Sequence, residues 1–247
     1  MIRRMKWLPE AACSHIGSFY DNAEFIDGKN SGTANRKIKR NQEMKGAGEQ
    51  ACIKLFCDQW WKSGFAKQIL TKKITTPMFV KYSEEEEGHY SFHNDVPMMG
   101  GKDNCVRSDY VMVTGINDAS EYEGGGLQVR LGSETYEYRL GKGECVFFDP
   151  NQWHAVTPVT KGVRKVVIMW VETLIQDEYV RELIYDYQDL MDFAMESIDL
   201  NHWTADIEPA TYFNAIKYKL MREYASTFHN ENQQQSYGLQ STTGDTK

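Results

Sequence analysis

Leu127-Gln128-Val129-Arg130-Leu131-Gly132-Ser133-Glu134-Thr135-Tyr136-Glu137-Tyr138-Arg139-Leu140 decides the fold class. The runs Leu127 to Leu131 and Thr135 to Leu140 read as two strands joined across Gly132-Ser133. A Gly first in a two-residue loop suits a type II′ hairpin turn. The neighbours on both sides are also extended. Val106 to Ile116 is expected as one strand, and Glu123-Gly124-Gly125-Gly126 turns the chain before the hairpin. After the turn Gly141-Lys142-Gly143, Cys145 to Phe148 reads as a buried strand. Trp153 to Thr157 and Val163 to Glu172 are expected as antiparallel partners around Thr160-Lys161-Gly162. Short strands at this spacing mean a barrel or sandwich, and no fold built on βαβ units is compatible.

Upstream, Pro9 to about Asn22 reads as a helix with apolar positions at Ala12, Ile16 and Phe19. A short strand Glu24 to Gly28 and a loop to Gly32 follow, then a strand Ile38 to Met44. Gly46-Ala47-Gly48 is expected to break the chain before a helix from Glu49 to Phe65, in which Trp60 and Trp61 are core aromatics. Pro77 to Tyr82 reads as a strand, Glu84-Glu85-Glu86-Glu87-Gly88 as a solvated acidic tip, and Tyr90 to Asp95 as extended. Val96 to Asp103 is a flexible connection and a candidate lid. Beyond the strands, Asp177 to Ser197 places Val180, Leu183, Ile184, Tyr187, Leu190 and Met191 on one helical face. Pro209 to Tyr224 forms another helix with Pro near its start. The expectation is one domain over residues 1–225, with a β core about 77–172 and a polar, disordered tail over 226–247.

Bulk numbers exclude several classes. The 247 residues suffice for one large domain or two small ones, and the formal net charge of −7 argues against a general nucleic-acid surface. The basic cluster Arg36-Lys37-Ile38-Lys39-Arg40 is either a phosphate contact or a solvated loop or strand edge. No apolar run of about 18 residues predicts a membrane span. The N-terminus lacks the apolar stretch of a signal peptide, and the five scattered cysteines contain no CxxC pair. Reduced thiols in a cytoplasmic location are therefore expected.

Three residues read as a metal site: His93 and Asp95 in His93-Asn94-Asp95, and the distant His154. On an extended segment, residues i and i+2 point to the same face, so both reach one ion with Asn94 turned away. Two imidazoles and one carboxylate on one side of a metal form the facial triad of non-haem Fe(II) oxygenases, which leaves open coordination positions. Arg164 lies on a strand-like run downstream. If Pro158 to Gly162 form the connecting loop, Arg164 is three rungs from His154, about 10 Å at roughly 3.3 Å per residue. A five-carbon keto-diacid bound to the metal extends most of that way, and its far carboxylate would meet the guanidinium. Lys165 points to the other face, while Val166, Ile168 and Trp170 share the Arg164 face. A surface charge beside a turn is the plain alternative for Arg164 taken alone.

These residues resemble a known family. The order HxD, a distal His and an Arg ten residues on is similar to the Fe(II)/2-oxoglutarate oxygenases, within them to the prolyl 4-hydroxylase and PKHD-type hydroxylase group. The resemblance covers roughly Phe25 to Val180. Its most specific piece is Asp149-Pro150…His154-Ala155-Val156-Thr157-Pro158-Val159…Arg164…Trp170-Val171. Arg107-Ser108-Asp109, Tyr122 to Leu127, and Phe25-Ile26-Asp27-Gly28 with Lys39-Arg40-Asn41 support it. The resemblance implies a double-stranded β-helix, a cupin-like jelly roll, in a mainly β chain with flanking helices. It implies His93, Asp95 and His154 as Fe(II) ligands and Arg164 as the 2-oxoglutarate clamp. Tyr82 stands where a hydroxyl contacts the same cosubstrate, although the acidic loop makes its spacing to His93 two residues longer than the family's. Tyr90, Arg107 and Trp170 match positions that line a peptide pocket, and Tyr90 and Trp170 read equally as core aromatics. Halogenating relatives lack the carboxylate ligand, so Asp95 favours hydroxylation.

The resulting expectation is an iron-dependent dioxygenase that hydroxylates a peptidyl proline in a protein or peptide, with ascorbate sustaining activity. The rivals are the same chemistry on a free amino acid or other small molecule, and a non-enzymatic jelly-roll sensing module that keeps a structural metal. A zinc hydrolase has no HExxH helix to support it.

Overall fold

Successive side chains of a strand point to opposite faces, and this chain uses that alternation to build an apolar core between two sheets. The structure, a computed structural model, describes residues 2–31, 38–101, 105–199 and 207–226. Arg36 and Lys37 of the basic cluster, part of the 96–103 connection, and the polar tail from 227 onward lie outside the described residues. In chain order the elements begin with β1 (Ile2–Lys6), α1 (Glu10–Tyr20), β2 (Glu24–Asp27), β3 (Lys39–Arg40) and β4 (Gln42–Lys45). Next come α2 (Gly46–Lys62), α3 (Gly64–Gln68), β5 (Thr71–Ile74), β6 (Met78–Ser83), β7 (His89–His93), β8 (Met98–Met99) and β9 (Val106–Arg107). The remaining strands are β10 (Tyr110–Gly115), β11 (Tyr122–Gly124), β12 (Leu127–Leu131), β13 (Glu134–Tyr138), β14 (Glu144–Phe148), β15 (His154–Val156) and β16 (Val159–Thr173). The helices α4 (Glu178–Ser197) and α5 (Pro209–Tyr224) follow.

The chain falls into two compact units. The first, Met1–Ser63 with Lys73–Glu172, holds the β core. Its major sheet runs β1-β14-β10-β16-β6-β4-β2 and its minor sheet β13-β12-β15-β7-β3. The pairings within both are antiparallel, for example Val113 with Ile168 and Leu127 with Val156. This is a jelly roll in a mainly β chain with helices, as expected. Val80, Val111, Val113, Val146, Phe148 and Val166 of the major sheet meet Leu127, Val129 and Val156 of the minor sheet in one buried cluster. The opposite face of the major sheet is covered by helices. Ala12, Cys13, Ile16 and Tyr20 form the buried stripe of α1. Phe56 of α2 meets Phe79 edge-on at 6.2 Å, and the Tyr20 hydroxyl donates to Val166 O at 2.7 Å. Trp60 is fully buried against Trp7, so it is core, as expected.

The second unit, Gly64–Lys72 with the chain from Thr173 on, is helical. Asp177 caps α4 by accepting from Val180 N at 2.9 Å, and Pro209 opens α5. Val180 and Ile184 are buried with Leu70, Leu174 and Ile175. The expected face of α4 is only half used, since Leu183 and Leu190 are 44% and 58% exposed.

The structure corrects six local expectations. Ile38 to Met44 is two strands in different sheets, split at Asn41: β3 pairs with β7, β4 with β2 and β6. Lys39 of the basic cluster is buried and bonds the Glu43 carboxylate at 2.9 Å, while Arg40 is exposed. Gly46 to Gly48 begin α2 instead of breaking the chain before it. Val106 to Ile116 is interrupted at Ser108-Asp109, because β9 pairs with β8 and Ser108 N donates to Pro97 O at 2.9 Å. Met98 and Met99 of the expected flexible connection are therefore in a strand. Most consequential, β15 and β16 are not partners. β15 pairs with β12 and β7, and β16 pairs with β10, β6 and β11. Gly162 lies inside β16 at φ +72°, where a Cβ would collide with Glu121 O. It serves a close backbone approach, and the chain changes sheets earlier, at Thr157-Pro158.

Candidate metal centre

His93 ends β7 and His154 begins β15, and the two are direct cross-strand partners. Pairing in register sets their rings side by side, with centroids 4.2 Å apart. Asp95 lies two residues past His93, beyond the strand end, where its N–H donates to Pro150 O at 3.1 Å. That bond fixes the backbone at this position, and the carboxylate faces the imidazoles. Asp95 Oδ1 is 3.8 Å from His93 Nε2, and Oδ2 is 3.7 Å from His154 Nε2. One ligand atom from each residue lies within 4.8 Å of the others, and Asn94 is exposed, turned away.

The backbone sets the tautomers. His93 Nδ1 is 2.8 Å from Ser91 O and His154 Nδ1 is 2.9 Å from Gln152 O. A carbonyl oxygen only accepts, so each Nδ1 carries the proton and each Nε2 offers a lone pair to the centre. Burial, and then the neighbouring His154, push the His93 imidazolium down to about 3, so His93 is neutral at physiological pH. Burial raises the Asp95 carboxyl, while His154 and a hydrogen bond from Trp170 work against that rise. The Trp170 bond is direct: Nε1 donates to Asp95 Oδ2 at 2.8 Å.

Arg164 stands on β16 opposite Tyr82 of β6, not on a strand paired with His154. The rung count from His154 therefore fails, but the face is the expected one. Val166, Ile168 and Trp170 share it within the inner cluster, and Lys165 on the other face bonds Asp21 at 2.8 Å. Arg164 is 1% exposed, and none of its three guanidinium nitrogens has a hydrogen-bond partner among the described residues. The guanidinium sits 5.1 Å from the centre of the Tyr82 ring. Gly125, at φ +62°, makes room for the stem, since a Cβ there would stand 3.0 Å from Arg164 Cδ. A buried charge without a partner is costly, and a bound anion is the usual remedy. Burial pushes the Tyr82 phenol up and Arg164 pulls it back, with Asp95 also felt at this hydroxyl.

The structure brings His93, Asp95 and His154 together, and Arg164 with Tyr82. Tyr90 stacks on the His93 ring at 3.6 Å between centroids, with Lys39 Nζ 5.5 Å from its own centroid, so it braces that imidazole. Arg107 is engaged by Asp109 at 2.7 and 2.8 Å and by Glu172 at 3.8 Å. Sequence reasoning placed Trp170 on a pocket wall and missed its bond to Asp95, which joins residues 75 positions apart. It also gave no role to Asn41, because that residue's place depends on a sheet crossing that no local signal announces.

Comparison with known proteins sharpens this geometry. A model of the 2OG-Fe(II) oxygenase superfamily matches residues 77–172. A PKHD-type hydroxylase of Idiomarina loihiensis is 27% identical over 206 residues, covering 83% of this chain and 89% of the relative. Another, of Acaryochloris marina, is 31% identical over 184 residues, covering 73% and 80%. The chain belongs to the 2OG-Fe(II) oxygenase superfamily. The solved non-haem alpha-ketoglutarate-dependent epimerase SnoN from nogalamycin biosynthesis resembles this 2OG-Fe(II) oxygenase in fold. Its TM-score is 0.51 at 10% identity, covering 70% of this chain and 77% of that one. As a member of the superfamily the protein is an oxidoreductase that uses Fe(II) and 2-oxoglutarate. Its own residues fit both: two imidazoles and a carboxylate suit Fe(II), and a buried guanidinium without a hydrogen-bond partner among the described residues suits a dicarboxylate. Among the described residues, no helix is long and apolar enough to cross a membrane.

Proposed function

We propose that this dioxygenase hydroxylates a peptidyl proline, with His93, Asp95 and His154 holding Fe(II) and Arg164 and Tyr82 binding 2-oxoglutarate. The observation that carries the site assignment is the unpartnered, fully buried Arg164 on the inner face that it shares with Trp170, the donor to Asp95. Bound Fe(II) supplies the activation of dioxygen that couples decarboxylation of 2-oxoglutarate, to succinate and CO2, with insertion of the other oxygen atom into a substrate C–H bond. This chain's part is geometric and electrostatic. Ser91 O and Gln152 O keep both Nε2 atoms free, Trp170 Nε1 orients Asp95, and Tyr90 braces His93. Arg164 offers paired donors to the distal carboxylate of the keto-diacid, and the Tyr82 hydroxyl adds another.

The surface beside the ligands supports a peptide substrate. Val96 and Met98, just past Asp95, are 58% and 51% exposed, and Trp153, just before His154, is 50% exposed. Apolar side chains left in water around a metal centre suit an extended chain with a pyrrolidine ring better than a small polar solute. The PKHD-type hydroxylase relatives agree with hydroxylation as the outcome. The test is aerobic incubation with Fe(II), 2-oxoglutarate and a panel of proline-containing peptides and free amino acids. Succinate release that depends on a peptide, with one oxygen atom gained on its proline, is expected. Succinate coupled only to free amino acids or other small molecules overturns the peptidyl reading.

A further inference from the structure

Asn41 is the residue between β3 and β4 at which the chain leaves the minor sheet and enters the major one. It is 2% exposed, and neither the nitrogen nor the oxygen of its side-chain amide completes a hydrogen bond with any described residue. Buried amides are almost always bonded, so one without partners asks for a physical explanation.

Strand register supplies it. β4 and β6 pair Glu43 with Val80 and Gln42 with Lys81, so the next position sets Asn41 opposite Tyr82. β6 and β16 pair Tyr82 with Arg164. Residues directly opposite in antiparallel strands share a face, with neighbouring strands about 4.8 Å apart. Asn41, Tyr82 and Arg164 thus form one polar row across three strands, with Tyr82 in the middle. The backbone holds Asn41 from behind: Gly28 N donates to Asn41 O at 2.9 Å. A Cβ on residue 28 would collide with the amide oxygen, so that end is turned to Gly28 and the nitrogen end remains for Tyr82. Burial pushes the Tyr82 phenol up, and Arg164 and then the Asn41 side chain pull it back, in keeping with the neighbourhood that the strand register gives them.

We propose that Asn41 is a positioning residue for the cosubstrate: its amide N–H donates to the Tyr82 hydroxyl oxygen and so turns the hydroxyl proton to the carboxylate held by Arg164. The proposal rests on the reading of Arg164 and Tyr82 as the 2-oxoglutarate site. A phenol both donates and accepts, and filling its acceptor side leaves the anion as the natural target of its proton. The row then runs amide, hydroxyl, carboxylate, guanidinium, and binding of the dicarboxylate gives the buried Arg164 donors their acceptor.

A double-mutant cycle tests this on the full chain loaded with Mn(II) in place of Fe(II), with 2-oxoglutarate binding measured by calorimetry. Asn41→Ala and Tyr82→Phe are each expected to weaken binding by about tenfold. The double variant is expected to bind no more weakly than Tyr82→Phe alone, because Asn41 acts only through the hydroxyl. Asn41→Asp keeps the shape and removes the donor, so it serves if Asn41→Ala melts early. In the Fe(II) enzyme, the KM for 2-oxoglutarate rises by more than kcat falls. Wild-type affinity in both Asn41 variants, or losses that add fully to that of Tyr82→Phe, overturns the role of Asn41. Arg164→Met is the separate control. If it binds 2-oxoglutarate like wild type, the underlying site assignment is wrong, whereas loss there without coupling between residues 41 and 82 rejects Asn41 alone.

Discussion

The minor sheet and the major sheet each bring a polar cluster to the inside of the jelly roll, and the two are finished to different degrees. At the histidine cluster, the groups that do not face the ion are already bonded. Ser91 O and Gln152 O hold the two Nδ1 atoms, and Trp170 Nε1 holds Asp95 Oδ2. In the row across the major sheet, Arg164 and Asn41 have five buried polar atoms without hydrogen-bond partners among the described residues. The first cluster is preorganised for a small ion that needs only three ligand atoms. The second keeps buried donors without hydrogen-bond partners among the described residues, which is where the proposed reading puts the cosubstrate carboxylate. On the proposed reading, full satisfaction in advance would consume the donors that the anion needs.

This contrast can be broken by mutation. Asp95→Ala removes the one anionic ligand and should reduce substrate-dependent succinate release to background; turnover close to wild type would show that the metal is held elsewhere. Arg164→Met should act in two opposite directions. Affinity for 2-oxoglutarate falls by about a hundredfold or more, since charged hydrogen bonds are worth about 1.5–3 kcal/mol each. The ligand-free protein, relieved of an unpaired buried charge, melts at or above the wild-type temperature. A variant that melts well below wild type in calorimetry means that the row is not unfinished at rest. Trp170→Phe sharpens the other side. Loss of a bond to a ligand carboxylate typically costs 10- to 100-fold in metal affinity, so Mn(II) titration should show about that weakening. At saturating metal, cosubstrate affinity should stay near wild type, and a change in it instead would move Trp170 to the anion end. The smallest effect is expected at Gly125. Gly125→Ala puts a side chain at φ +62° against Arg164 Cδ and should cost about 1–2 kcal/mol in urea denaturation, with a matching rise in the KM for 2-oxoglutarate. Unchanged stability would mean that the Arg164 stem yields freely.

Much of the site was legible because its grammar is local. His93 and Asp95 are two residues apart, and alternation along an extended segment is enough to point both inward with Asn94 outside. The face of Arg164 followed from the same alternation, with Val166 and Lys165 on opposite sides as expected. The rung count from His154 to Arg164 lost its basis, because it assumed that β15 and β16 are neighbours and they lie in opposite sheets. Arg107, matched to a peptide pocket by resemblance, bonds Asp109 and Glu172. Trp170, matched to the same pocket, donates to Asp95.

The amino-acid order by itself determined what short-range forces control. These are the hairpin at Gly132-Ser133, the start of α4 at Asp177, the start of α5 at Pro209, and the opposite faces of Lys165 and its neighbours Arg164 and Val166. Only the tertiary structure decided which strand lies beside which, and with it that Asn41, Tyr82 and Arg164 stand in one row and that Trp170 reaches Asp95. The physical reason is that every strand edge offers the same N–H and C=O groups. Backbone hydrogen bonding therefore cannot choose a partner, and the choice falls to the packing of side chains that are distant in the chain.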